Sequence, residues 1–272
     1  MARHPWELSD EFWRLVEPLV PRREREKGRK YRRKAGGGRK PMPARKAFAG
    51  ILYVLSTGIQ WKALPAEFGS SSSVHRYFRA WAKAGLFLKI WKRGLAEYDE
   101  MAGISWRWQS VDGCMTKAPT ALEAAGRNPT DRGKRGTKRH VLVDGRGVPL
   151  SIVVTGANRH DVTRLAAVLD GRVVRPDGRV REHLCADAGY AGANALRVIA
   201  ERGYVPHVRS RGEERKARKR GGKARRWVVE ASHSWMNRFR KLLVRFEKTV
   251  LSYAALLHLA AGIIALKKAK AI

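Results

Sequence analysis

Apolar residues recur at the helical period through about the first hundred positions, and from residue 106 the period shortens to two. In LSDEFWRLVEPLV the side chains of Phe12, Leu15, Val16 and Leu19 share one face. Pro41 and Pro43 interrupt the chain before a second helix, ARKAFAGILYVLSTG. WKALPAEFG then predicts a short helix and a Gly-Ser turn. A further helix runs from about Ser73 to Ala84, with Tyr77, Trp81 and Leu86 apolar. Helix, tight turn and basic helix in that order predict a helix-turn-helix, with a plain helical pair as the alternative.

Beyond residue 106, WRWQSVDG predicts a strand ending at Asp112. KRHVLVDGRGVPLSIVVTG predicts two strands joined by a tight turn at Asp144-Gly145. NRHDVTRLAAVLD reads as a helix capped by Asn158 or Asp161, and Asp144 as a turn residue. EHLCADAGY is a strand, GANALRVIAERG a helix and YVPHVRS another strand. RRWVVEASHSWMNRFRKLLVRFEK is a strong helix that flows into an apolar terminal one. This order predicts an RNase H-like α/β core, a mixed five-stranded sheet flanked by helices. The expected division is an all-helical region over residues 1–100 and a sheet domain over residues 101–272, with a basic linker at about 22–42.

Charge changes the picture. The 272 residues hold 57 Lys and Arg against 24 Asp and Glu, a net charge of +33 and a pI near 11.2. Such a chain seeks polyanions, nucleic acid first and an anionic membrane surface second. Arg76, Arg79 and Lys83 put positive charge on the second helix of the helix-turn-helix and favour DNA there. Residues 22–40 contain 11 Lys or Arg and residues 209–226 contain 10. The first run, with Gly36 to Gly38, suits a flexible linker. The second interrupts an ordered αβ block, so Arg215, Lys216, Arg218, Lys219 and Arg220 are read as phosphate contacts. RNA-recognition aromatics at strand positions are not evident. Two cysteines make no disulfide framework, which points to a reducing cytoplasm. MARHPWELSD lacks the apolar core of a signal peptide, and LSYAALLHLAAGIIAL is short for a membrane span and suits a buried helix. The expectation is a cytoplasmic, nucleoid-associated protein without a membrane.

The chemistry sits in carboxylates. Asp112 ends one predicted strand, Asp187 ends its expected neighbour, and Glu230 lies on the helix that packs across that rim. Three converging carboxylates repel one another unless a cation neutralises them, and an all-oxygen set selects Mg²⁺, with Mn²⁺ as substitute. Two such ions activate a water or a 3′-hydroxyl and stabilise the leaving oxygen in phosphodiester displacement. Arg226 before Glu230, and Arg238, Arg240 and Lys241 after it, are candidate phosphate grips. Trp235 is either a core residue or a platform for a displaced base. Cys114 and Cys185 are expected to face each other across adjacent strands. With His183 they make at most a weak soft-metal set, and small core residues is the better reading.

These segments resemble the DDE transposases of the IS5 insertion-sequence family. GILYVLSTGIQWKALPAEFGSSSSVHRYFRAW resembles the family's DNA-binding region. VDGCMTKAP, NPTDRGKRGTKRHVLVDGRGVPLSIVVTGANRHD, HLCADAGY and WVVEASHSWMNRFRKLLVRFEK resemble its catalytic segments. The resemblance implies that Asp112, Asp187 and Glu230 are the catalytic triad. It implies divalent-metal catalysis, strand cleavage at terminal inverted repeats and strand transfer into target DNA; a homodimer is expected. Only 43 residues separate Asp187 from Glu230, too few for the β-rich insertion of some relatives. The chain departs from the family in having Ala231-Ser232 where Arg-Thr is usual, and Asn237 where the wider signature has a base. A catalytically silent DNA-binding protein derived from a transposase is the alternative.

Overall fold

The computed structural model describes residues 4, 6–21, 28, 30, 40–208 and 227–272. Most of the linker and the basic run 209–226, with Arg215, Lys216, Arg218, Lys219, Arg220 and Arg226, lie outside the described residues.

The amphipathic N-terminal segments fold as expected. α1 (Asp10–Val16) starts at Ser9, whose hydroxyl accepts the Phe12 N–H at 3.1 Å, and Pro18 turns the chain into a 3-10 turn. α2 (Ala44–Thr57) ends at Gly58, whose φ of 76° closes the helix in the left-handed conformation. A 3-10 turn (Ala66–Phe68), Gly69 and Ser70 then lead into α3 (Ser71–Lys83). α3 buries Val74, Phe78, Trp81 and Ala82 against α2 and α4 (Leu86–Ala102), leaving Arg76, Arg79 and Lys83 exposed on its outer side.

Strands follow from Trp108: β1 (Trp108–Lys117), β2 (Gly126–Arg127), β3 (Arg135–Val143), β4 (Pro149–Gly156), β5 (His183–Ala186) and β6 (Val205–Val208). β4, β3, β1, β5 and β6 lie side by side in that order. The first two pairings are antiparallel and the last two parallel, as in an RNase H-like core. The sheet has six strands rather than the expected five, because two-residue β2 continues the β4 edge of β3. β1 does not stop at Asp112; it runs on to Lys117 along β3. α5 (Leu165–Asp170) and α6 (Ala193–Glu201) pack against each other and against β4 and β6. The segment expected as one long helix breaks into α7 (Trp227–Asn237), a 3-10 turn at Arg240–Leu242, an extended stretch, and α8 (Val250–Lys268). Its extended part is drawn straight by β1: Val244 bridges Lys117, and the Arg245 N–H donates to the Lys117 carbonyl at 2.8 Å.

α8 is apolar on all sides, with a mean hydropathy of 1.8, and is the one helix among the described residues long and apolar enough to cross a membrane. It is a core helix instead, burying Tyr253, Leu256, Leu259 and Ile263. Its closest packing is with α4. A Cβ on Gly94 would stand 2.8 Å from the Gly262 carbonyl oxygen, and one on Gly262 3.2 Å from the Trp91 backbone. One buried cluster thereby joins the helical N-terminal segment to the sheet. Gly94→Val is expected to cost about 2 kcal/mol through overpacking, lowering the melting temperature by roughly 5 °C for a chain of this size. An unchanged calorimetric transition would show that the two helices part freely.

Candidate active site

β1 and β5 place the two aspartates. Their parallel register pairs Ser110 with Cys185, so two residues further on Asp112 stands level with Asp187 on the same sheet face. A nearby glycine holds each carboxylate. The Gly113 N–H donates to Asp112 Oδ1 at 2.8 Å, and the Gly189 N–H to Asp187 Oδ1 at 2.9 Å. Asp187 therefore caps the 3-10 turn Ala188–Tyr190 as well as facing the rim. Tyr190 lies beneath, 2% exposed; burial and then the charges of Asp161, Asp112 and Asp187 push its hydroxyl above the usual tyrosine range.

Glu230 is exposed in the first turn of α7, the helix that packs across β1 and β3. One turn on, His233 Nε2 lies 4.0 Å from Asp112 Oδ2. Burial, then the charges of Arg139 and His140, pushes the His233 imidazole down to a pKa of about 3, so it is neutral. Arg139, fully buried on β3, fastens α7 from below: its Nη2 donates to Asn237 Oδ1 at 2.6 Å and to the His233 carbonyl at 3.4 Å. Asn237 thus occupies the signature's basic position and receives its cation from another strand. Asp112, Asp187 and Glu230 supply hard oxygen donors of the type Mg²⁺ and Mn²⁺ take. Among the described residues, no three His, Cys, Asp or Glu side chains stand together closely enough to hold a metal.

Several sequence expectations change here. Asp161 caps no helix. It pairs with Lys138 Nζ and His140 Nδ1, both at 3.1 Å, and its Oδ1 fills the space where a Gly113 side chain would be. Burial raises the Asp161 pKa, but hydrogen bonds and charges from His140 and Lys138 outweigh it and hold the carboxyl below its ordinary range. Asp144 is a turn residue, yet fully buried. Its hairpin spans residues 144–148, and the positive φ falls on Gly147, at 84°, rather than on Gly145. Cys114 and Cys185 do not face each other, because Cys185 pairs with Ser110 and Cys114 with Arg139. His183 stacks on Trp108 and shares a 2.8 Å hydrogen bond with His207. Trp235 is half-buried under Lys268, whose Nζ lies 4.1 Å from the ring centre.

The basic candidates also divide. Arg238 and Arg240 are exposed and lie beyond the C-terminal end of α7, whereas Glu230 sits in its first turn. Lys241 is no phosphate grip. It is 4% exposed, donates to the Ile59 carbonyl at 3.1 Å and pairs with Glu247 at 3.7 Å. Sequence reading missed His233, Arg139, Tyr190 and the pairing of Asp161. His233 alone left a local signal, three residues after Glu230 and so on the same helical face.

An RNase H-like sheet with paired aspartates at one rim, and a glutamate on the helix crossing it, defines a polynucleotidyl transferase domain of the DDE class. Comparison with known proteins narrows this. The family described as "Transposase DDE domain" matches residues 108–264, and "Putative transposase of IS4/5 family" matches residues 8–91. The chain belongs to the DDE transposases of insertion sequences. It is 37% identical over 141 residues to the "Putative transposase for insertion sequence element IS402" of Burkholderia cepacia. That match covers 49% of this chain and 64% of the relative. An "Insertion element IS402 uncharacterized 16.2 kDa protein" of the same organism is 36% identical over 124 residues, 45% of this chain and 80% of its own length. Two solved structures are also similar. The "Mos1 mariner paired end complex with Mn" matches at 12% identity and TM-score 0.28, over 76% of this chain and 80% of that one. The "Mos1 Strand Transfer Complex" matches at 10% and 0.32, over 88% and 79%. Scores this low carry no argument. Transposases of the DDE class use divalent metal ions.

Proposed function

We propose that this protein binds the terminal inverted repeats of its own insertion sequence as double-stranded DNA, cleaves the strands there and joins the freed ends to target DNA. The observation that carries this is the level placement of Asp112 and Asp187 on neighbouring strands, with the helix of Glu230 docked over Asp112. Asp112 and Asp187, completed by Glu230 from α7, would hold Mg²⁺, with Mn²⁺ as substitute. Bound there, the metal supplies a nucleophilic oxygen at neutral pH and charge stabilisation for the displaced one. The carboxylates orient that site, and the Gly113 and Gly189 N–H groups keep each Asp carboxylate pointed at the rim. Arg76, Arg79 and Lys83 on α3 read or hold the repeat, while Arg238 and Arg240 bind backbone further along the DNA. The run at 209–226 adds general affinity for phosphate. The helical region, residues 1–100, is the DNA-binding part and residues 101–272 the catalytic one. A homodimer engages the two ends, in the cytoplasm at the nucleoid.

The test is a duplex carrying the repeat that flanks the gene, incubated with Mg²⁺ and followed for a nick with a free 3′-hydroxyl at the element's end. Tight binding without any nick would favour the second reading, a silent DNA-binding protein. That reading draws on Ala231-Ser232, where a fully buried Ser232 stands with an unpartnered hydroxyl. Arg76→Ala or Arg79→Ala is expected to reduce discrimination for the repeat by about 1–3 kcal/mol, with random duplex bound almost as before. Equal losses on both DNAs, measured by titration, would reduce α3 to a backbone grip.

A further inference from the structure

His233 is an expensive residue where it stands. Its side chain is 9% exposed, and neither ring nitrogen has a hydrogen-bond partner. A buried polar group without a partner costs stability that Phe, Leu or Met would not. What the imidazole faces explains it. Its Nε2 points at Asp112 Oδ2 from 4.0 Å, about 1 Å beyond hydrogen-bond reach. The other oxygen of that carboxylate is already held by the Gly113 N–H at 2.8 Å.

We propose that His233 is a positioning residue, whose Nε2–H donates to Asp112 Oδ2 and fixes the carboxylate for metal capture from the same helix face that carries Glu230. The inference rests on the reading of Asp112 as a metal ligand. A carboxylate can only accept, so Nε2 must carry the proton that it donates. Two donors on one carboxylate, one to each oxygen, set its plane. Arg139 sets the imidazole in turn by holding the His233 carbonyl at 3.4 Å and the Asn237 side chain at 2.6 Å. Because Glu230 and His233 are three residues apart on α7, closing the 4.0 Å gap to a hydrogen bond would draw the first turn of α7 towards the aspartates. Partners of this kind orient metal ligands, and removing one typically weakens metal affinity by about 10–100-fold.

The experiment measures Mn²⁺ affinity of the full-length protein without DNA, by the loss of the free-ion electron paramagnetic resonance signal. His233→Phe is expected to weaken Mn²⁺ binding about 10-fold or more, while its melting temperature stays at or above that of the parent. His233→Gln, whose amide NH₂ reaches a similar point, is expected to recover most of the affinity. Parental affinity in His233→Phe, or a Gln variant as weak as the Phe one, would overturn the positioning role. If the Phe ring prevents folding, His233→Met makes the same comparison. Asp112→Asn distinguishes the two levels of the reading. Weak binding there with parental binding in the His233 variants removes only the positioning role, whereas parental binding in Asp112→Asn removes the ligand assignment and this inference with it.

Discussion

Asp112→Asn, Asp187→Asn and Glu230→Gln are each expected to give a folded protein that still binds DNA and barely cuts it. Each change keeps shape and removes one charged oxygen from the proposed ligand set. Losing about 4 kcal/mol of charge stabilisation corresponds to a fall of roughly 1,000-fold in the cleavage rate. Residues that act as one unit are not additive, so pairing two of the changes should look little worse than one. Stability should move the other way. Asp112 and Asp187 stand level on neighbouring strands, so neutralising one relieves repulsion between them. Melting curves of the Asn variants at or above the parent, beside lost cleavage in Mg²⁺, are the expected pattern. Cleavage retained in any of the three would remove that residue from the catalytic set.

Asp144→Ala, by contrast, is expected to unfold the protein more readily by about 4 kcal/mol, near the upper end for single substitutions. The carboxylate is a knot between α4 and the β3–β4 hairpin. Oδ1 accepts the N–H groups of Arg146 and Val148 at 3.0 and 2.8 Å; Oδ2 accepts the Tyr98 hydroxyl at 3.0 Å and the Ser105 N–H at 3.1 Å. Burial pushes the Asp144 pKa up against the pull of its N–H and hydroxyl donors. Truncation leaves these donors without an acceptor, and a buried donor left unpaired costs about 1–3 kcal/mol. The melting temperature should fall by roughly 10 °C. Tyr98→Phe removes a single donor together with its need for an acceptor, so a loss of about 1 kcal/mol is expected. A calorimetric scan in which Asp144→Ala melts within 2 °C or so of the parent would show that water replaces the carboxylate.

Both predictions concern aspartates that look alike in the sequence, each followed by glycine, VDG at 111–113 and VDG at 143–145. Their difference is not local. Asp112 lies where β5 stops pairing with β1, so its outer oxygen faces the rim and α7. Asp144 lies where α4 and residue 105 fold back over a hairpin, so its oxygens are consumed by backbone. Lys241 gives the same lesson for cations. In RFRKLLVRFEK it reads like its neighbours Arg238 and Arg240, but the Ile59 carbonyl and Glu247 bury it.

The sequence by itself determined the helical N-terminal segment, the order of the main strands, and the carboxylates set by resemblance as candidates. It could do so because periodicity records which side of each element is buried, and that is a property of neighbouring residues. The tertiary structure alone decided where β1 ends, where the α7 segment stops and which polar groups pair. α7 gives way to an extended stretch because β1 offers the Lys117 carbonyl to Arg245, a partner 128 positions away. Asp161 faces Lys138 and His140 because the antiparallel register of β3 on β1 brings them beside Gly113. Contacts of that range depend on strand register and helix docking, and hydrophobic periodicity carries no record of either.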